Sequence, residues 1–238
     1  MRPLLVIKTG GSLPDLVAHR GDYEDWIVDG LGVSRVRALV VPVQATPDLP
    51  EPREVAAAVV TGSSAMVSDR EPWSERTGGW LRRALEEELP LLGICYGHQL
   101  LAQALGGAVG RNPLGREIGS IRVRLAGAGS QDPLLAGLGD PLCVQATHVE
   151  SVLALPPGAR LLASSQLDPH QAFAVGRRAW GVQFHPEFDA EVIRAYLEAR
   201  REVLRAEGLD PEALLREVAD GDAGAALLRR FARLSGVG

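Results

Sequence analysis

The chain has 238 residues, 46% of them hydrophobic and 23% charged, with a net charge of −5. That is the size and mix of one α/β domain with a large core, and it argues against disorder. The acidic balance gives no electrostatic ground for nucleic acid or an anionic membrane as partner, and the single lysine, Lys8, all but excludes a P-loop or Schiff-base lysine.

In chain order, the apolar run Leu4–Ile7 predicts a buried strand. It stops at Lys8, too short for the core of a signal peptide, and no later run approaches the roughly 20 residues that span a bilayer. Two cysteines, Cys95 and Cys143, give no disulfide framework, so a cytoplasmic protein is expected. Tyr23–Leu31 has helical spacing. Val36–Val43 predicts a second strand, followed by the Pro-rich loop 46–52, and Ala57–Thr61 a third, which runs into Gly62-Ser63-Ser64. Trp73–Leu89 is helical, Leu89–Ile94 a fourth strand, and Gln99–Leu105 a helix stopped by Gly106-Gly107.

Strands that are apolar on nearly every residue and alternate with helices indicate a mostly parallel sheet covered on both faces. The pattern then changes. Ile118–Leu125, Leu142–Gln145, Arg160–Ser164, Ala172–Val175 and Gly181–Phe184 predict short strands with few helices between, an antiparallel extension. Helices return at Ala190–Ala206, Pro211–Ala219 and Ala223–Leu234. Residues 1–204 are read as the main domain and 205–238 as a helical appendage.

The stretch Gly93-Ile94-Cys95-Tyr96-Gly97-His98-Gln99 carries chemistry. A strand, then Gly-x-Cys-x-Gly, then a helix is the layout of a nucleophile elbow, where small neighbours let strand and helix backbones approach closely. It leaves Cys95 at a helix N-terminus, whose free N–H groups favour a thiolate, and at the carboxyl end of a parallel strand, where α/β sheets place their sites. The alternative is a packed thiol in a tight turn. Such a nucleophile needs an oriented base. His185 precedes Pro186, which holds it extended, and in an extended segment residues two apart share a face. Glu187 can therefore hold one ring nitrogen of His185 while the other faces a thiol. By itself, His-x-Glu is equally the pattern of a surface ion pair.

The two motifs together, GICYGHQ and then WGVQFHPEF, resemble the class I glutamine amidotransferases of the Cys-His-Glu group. Within them the chain looks most like free-standing relatives of the glutaminase domain of GMP synthase, over about residues 35 to 200. The resemblance implies a three-layer α/β/α sandwich of flavodoxin-like type. It implies that Cys95 attacks the side-chain amide of glutamine to give a γ-glutamyl thioester, that His185 shuttles the proton, and that Glu187 holds the imidazole. It also implies an oxyanion site from the backbone N–H of Tyr96 and the turn Gly62-Ser63, since TGSSAMVSD matches the family's Gly-rich oxyanion strand.

Gln99 lies one helical turn after Cys95 on the same face, where the family holds the substrate's amino-acid head. Thr147–Val152 resembles a second substrate element, with His148 at the pocket edge and Glu150 where the family's acid binds the α-amino group. The family carries Asp there; Glu150 is one methylene longer and follows Val149, so a γ-glutamyl compound other than glutamine is also open as substrate. His98 is read as packing. No metal and no cofactor are expected.

Amidotransferases hand ammonia to an acceptor, and the chain has no room for a synthetase. Three functions stay open. One is a glutamine-hydrolysing subunit serving a separate ammonia-accepting synthetase subunit. The second is a stand-alone γ-glutamyl hydrolase or peptidase, and the third a non-catalytic binding module.

Overall fold

The computed structural model describes residues 2–46 and 48–238; Pro47, in the Pro-rich loop, lies outside them. Strands β1 (Leu4–Lys8), β2 (Ala38–Pro42), β3 (Ala57–Val60) and β4 (Leu91–Ile94) pair in parallel in the order β2-β1-β3-β4. Successive side chains alternate faces, which is why a central strand must be apolar throughout. Leu4 and Val6 enter one core; Leu5 and Ile7 enter the other. Helices α1 (Pro14–Arg20) and α2 (Tyr23–Leu31) cover the first face, and α3 (Pro72–Glu86) and α4 (Tyr96–Ala104) cover the second.

The antiparallel extension is present and has more strands than expected. Strands β5 (Ala108–Arg111) and β8 (Glu150–Ala154) form a separate ribbon. Neither stands out in the sequence, because β5 is half exposed and β8 continues directly from its neighbour. The main sheet continues through β6 (Glu117–Leu125), β7 (Leu142–His148), β9 (Arg160–Ser164), β10 (Ala172–Val175) and β11 (Ala179–Val182), in the order β4-β11-β10-β9-β6-β7. Only β11 within this set runs parallel to β4, with Gly181 beside Gly93 and Val182 beside Ile94. The residues that follow these two strands therefore leave the sheet side by side. That pairing brings Cys95 and His185 together.

Three boundaries differ from expectation for visible reasons. Arg35–Arg37 forms a 3₁₀ turn with Val36 94% exposed, so β2 starts later than residue 36. The last strand ends at Val182 rather than Phe184, because the chain then crosses to β7, where the His185 N–H donates to the Gln145 carbonyl at 2.8 Å. The helix expected over Ala190–Ala206 is two, α5 (Ala190–Ala199) and α6 (Arg201–Ala206), broken at Arg200.

Two further helices follow, α7 (Pro211–Arg216), capped by the Asp210 carboxylate, and α8 (Ala223–Ser235). Leu227, Leu228 and Phe231 of α8 are buried in the same core as α2 and α5. Gly30 of α2 makes room, since a Cβ there would stand 2.5 Å from Leu228 Cδ1, and Phe231 meets Trp180 edge-on at 6.1 Å. Truncating Phe231 to Ala should therefore cost about 3–5 kcal/mol in urea unfolding. A loss under about 1 kcal/mol would mean that α8 rests on the sheet without sharing its core. Among the described residues no helix is long and apolar enough to cross a membrane.

Candidate active site

Cys95 joins β4 to α4 with φ 50° and ψ −98°, a backbone conformation that side-chain-bearing residues avoid and that costs on the order of 1–3 kcal/mol. The glycines on either side make the turn possible. A Cβ on Gly93 would run into the Gly97 carbonyl and stand 2.8 Å from the His98 nitrogen. A Cβ on Gly97 would stand 2.5 Å from the Val60 carbonyl oxygen on β3. The Cys95 N–H donates to the Val182 carbonyl at 2.9 Å, tying the turn to β11. The sulfur itself is 3.9 Å from the Thr147 carbonyl oxygen.

His185 and Glu187 face each other as their spacing predicts, with Nδ1 2.8 Å from Oε1 and side chains 2% and 0% exposed. Phe188 stacks on the imidazole at 4.1 Å. Burial alone would drive the His185 proton off. The charge of Glu187 and then the charge and hydrogen bond of Cys95 outweigh it, and the pKa is raised to about 10. With Nδ1 on the carboxylate, Nε2 is left for the sulfur. His185 thus holds its proton through neutral pH.

The turn after β3 completes the contact. A Cβ on Gly62 would stand 2.8 Å from His185 Cε1 and 3.8 Å from Cys95 Cβ, so Gly62 is pressed against both. Gly62 and Ser63 are pinned by Thr9, the residue after β1. Thr9 Oγ1 donates to the Gly62 carbonyl at 3.0 Å, and Ser63 Oγ donates to the Thr9 carbonyl at 2.8 Å while accepting from the Ala65 N–H. The Ser63 hydroxyl is therefore engaged in the loop. Tyr96 likewise sends its side chain away, to Ser74 Oγ at 2.6 Å and onto the Trp73 ring.

Two clefts meet at Cys95. The first, of about 130 Å³, is lined by Tyr96, Gln99, Val149 and Glu150. The second, of about 180 Å³, is lined by His185, Tyr23, Tyr196 and the Gly11–Pro14 segment. Cys95, Ser63, Ser64, Thr147 and Arg200 border both. A cleft of about 790 Å³ lies away from the cysteine against β6 and α7, and shares only Arg116 with the first cleft.

The expected substrate residues are brought together, with different degrees of freedom. Gln99 Nε2 donates to the Glu150 carbonyl at 2.8 Å and to Gln183 Oε1 at 2.9 Å, which fixes its amide in the wall. Glu150 accepts from the Ser68 N–H at 3.3 Å through Oε2. Both ring nitrogens of His148 are engaged, with the Glu150 carbonyl at 2.9 Å and Glu117 Oε2 at 3.1 Å; its side chain braces the pocket from behind. His98 is fully buried against Phe173, and burial pushes its pKa down to about 4. Sequence reasoning missed Arg116, Arg200, Tyr23 and Tyr196. Each lies outside the motifs, and none has a local pattern that marks it.

A family model for class-I glutamine amidotransferases matches residues 17–200. Among curated proteins, a glutamine-hydrolysing GMP synthase from Aeropyrum pernix is 37% identical over 185 residues, covering 77% of this chain and 32% of that protein. A protein from Archaeoglobus fulgidus, named as one subunit of a glutamine-hydrolysing GMP synthase, is 34% identical over 133 residues, covering 53% of this chain and 70% of that protein. The chain spans about a third of the length of the first of these relatives. A solved glutamine amidotransferase from Thermotoga maritima superposes with a TM-score of 0.75 at 24% identity, covering 99% of this chain and 98% of that one, which shows the shared fold. The match over most of the sequence and the matching fold have one conclusion: the chain belongs to the class-I glutamine amidotransferase family.

Proposed function

We propose that the protein hydrolyses the side-chain amide of glutamine through a γ-glutamyl thioester on Cys95. The observation that carries this reading is the pairing of a thiol on a strained turn with the buried His185–Glu187 couple. The Cys95 thiolate attacks the γ-carbonyl carbon, forming the C–S bond. The developing oxyanion is met by backbone N–H groups of Tyr96 and of the Gly62-Ser63 turn. As the C–N bond breaks, the His185 imidazolium gives its Nε2 proton to the departing nitrogen, and ammonia leaves. Water then attacks the thioester and returns a proton to His185, the C–S bond breaks, and glutamate departs with the thiolate restored. Glu187 fixes the ring and its charge. Gln99, Glu150 and the strand end at His148 form the wall for the amino-acid head, with the Glu150 carboxylate for its ammonium group.

The Archaeoglobus relative, named as one part of a multi-subunit synthase, supports a second element of the proposal, that the ammonia is handed to a separate synthetase subunit. The thioester is tested by adding glutamine, quenching in acid and weighing the protein. The expected result is one added γ-glutamyl group on the peptide containing Cys95, removed by hydroxylamine as γ-glutamyl hydroxamate. Turnover without any Cys95 adduct or hydroxamate would exclude the covalent path. Absence of both turnover and adduct would favour a binding module.

A further inference from the structure

Hydrolysis of the thioester poses a problem that its formation does not. The departing nitrogen is held in place by its bond to the γ-carbon until that bond breaks. The water that follows is free, and holding a free reactant in line removes a large part of a barrier. That water must point a lone pair at the thioester carbon. One of its protons goes to Nε2 of His185, neutral once ammonia has left, and the other needs an acceptor. In the thioester reading, on which this inference rests, the water stands where His185 can take its proton. His185 lines the second cleft and not the first.

Tyr23, Tyr196 and Ser12 also border the second cleft and not the first. Their hydroxyls form a chain, with Tyr23 Oη 2.7 Å from Tyr196 Oη and Tyr196 Oη 2.9 Å from Ser12 Oγ. When Tyr23 donates inward to Tyr196, the lone pairs of its oxygen stay open to an incoming proton donor. The chain is held at both ends by one carboxylate. Asp22 Oδ1 accepts from the Ser12 N–H and the Tyr23 N–H, and Oδ2 meets Nζ of Lys8, all at 2.8 Å. The Tyr23 ring lies within 17° of the imidazole plane of His185, with centres 6.0 Å apart. Burial, then Tyr196, then the charges of Cys95 and Glu187 hold the Tyr23 hydroxyl protonated well above the usual tyrosine range. Tyr23 therefore accepts and donates hydrogen bonds there without acting as a base.

We infer that Tyr23, steadied by Tyr196 and Ser12, is the positioning residue for the water that hydrolyses the thioester, its oxygen accepting the water proton that does not go to His185. The water oxygen forms the C–O bond and its other proton passes to His185 Nε2. The C–S bond then breaks with its electron pair returning to sulfur. Tyr23 begins and ends the step neutral. It matters to this half-reaction and not to the first, where the reacting nitrogen arrives already bonded to the carbon.

The test reads the two half-reactions separately in Tyr23→Phe, which keeps the ring and removes the hydroxyl. Ammonia release in the first turnover, followed by quenched flow, should keep its wild-type rate. The Cys95 adduct, freed of excess glutamine and followed by mass, should decay about 10- to 100-fold more slowly. In the steady state kcat should fall while kcat/KM, which reports the first half-reaction, holds. Hydroxylamine, nucleophilic without a base, should discharge the adduct at the wild-type rate. A merely structural role for Tyr23 would slow both half-reactions and the hydroxylamine discharge together, which overturns the proposal. So does adduct decay at the wild-type rate. Should Tyr23→Phe fail to fold, Tyr196→Phe, which removes the partner of the Tyr23 hydroxyl, must slow the decay and spare the first turnover; unchanged decay there counts against the chain. In all these outcomes the wild-type adduct stands, and the thioester reading with it. A wild-type protein that forms no adduct removes both.

Discussion

Cys95→Ala should reduce ammonia release from glutamine by about 10⁴-fold or more, to the level that binding and the oxyanion N–H groups alone provide. The variant should remain folded. The side chain sits in a turn whose shape is set by Gly93 and Gly97 against neighbouring backbone, and alanine occupies less space than cysteine. Strain supplies a control for this claim. Because residue 95 has φ 50°, alanine inherits the unfavourable conformation while glycine adopts it freely. Cys95→Gly should therefore be no less stable than Cys95→Ala, although glycine in place of alanine ordinarily destabilises by about 0.5–1 kcal/mol. Both variants should be inactive. A Cys95→Ala protein that keeps its activity within tenfold would remove the nucleophile from this residue. Inactivity accompanied by a lower urea midpoint in Cys95→Gly than in Cys95→Ala would leave the nucleophile in place and contradict the strained turn.

The fold is legible in sequence where one residue type is forced by one environment. Leu4–Ile7 and Ala57–Val60 must be apolar on both faces because helices cover both, so the parallel core is readable from a few residues. The elbow is legible for the same kind of reason, since any side chain at residue 93 or 97 meets backbone. The His-x-Glu couple is legible from period-two geometry. What joins them is less so. The parallel return of β11 beside β4 is a long-range pairing that no local pattern encodes. The break at Arg200 falls inside a run whose helical periodicity continues on both sides, so α5 and α6 read as one helix. His148 shows the opposite limit. Its place beside Glu150 is readable, but only the fold shows that Glu117, from the adjacent β6, occupies its second nitrogen. Residue type marks what a side chain is capable of, and its remaining hydrogen-bonding capacity is decided by distant neighbours.

Glu187→Gln should lower kcat/KM by about 10²- to 10⁴-fold, by analogy with loss of the orienting carboxylate in other nucleophile–histidine–acid sites, and should alter two pH profiles. His185 is raised to about 10 against burial, chiefly by Glu187 and then by Cys95. An unfolded histidine titrates near 6.5. Between about pH 6.5 and 10 the folded protein therefore keeps a proton that the unfolded chain has lost, and stability from this site falls as pH rises. It is present in full below 6.5 and gone above about 10. Glutamine at 187 keeps the shape and removes the charge, so the folded pKa drops and the window closes from its alkaline end. Urea midpoints of the two proteins should differ most near pH 6 and converge, or cross, toward pH 10. A difference that stays constant over that range would separate Glu187 from the His185 proton. The alkaline limb of the rate profile follows the same proton, because only the imidazolium can protonate the leaving nitrogen. It should move to lower pH in Glu187→Gln. A limb that stays near pH 10 would assign the hold on that proton to the Cys95 sulfur, and Glu187 would then orient the ring without setting its charge.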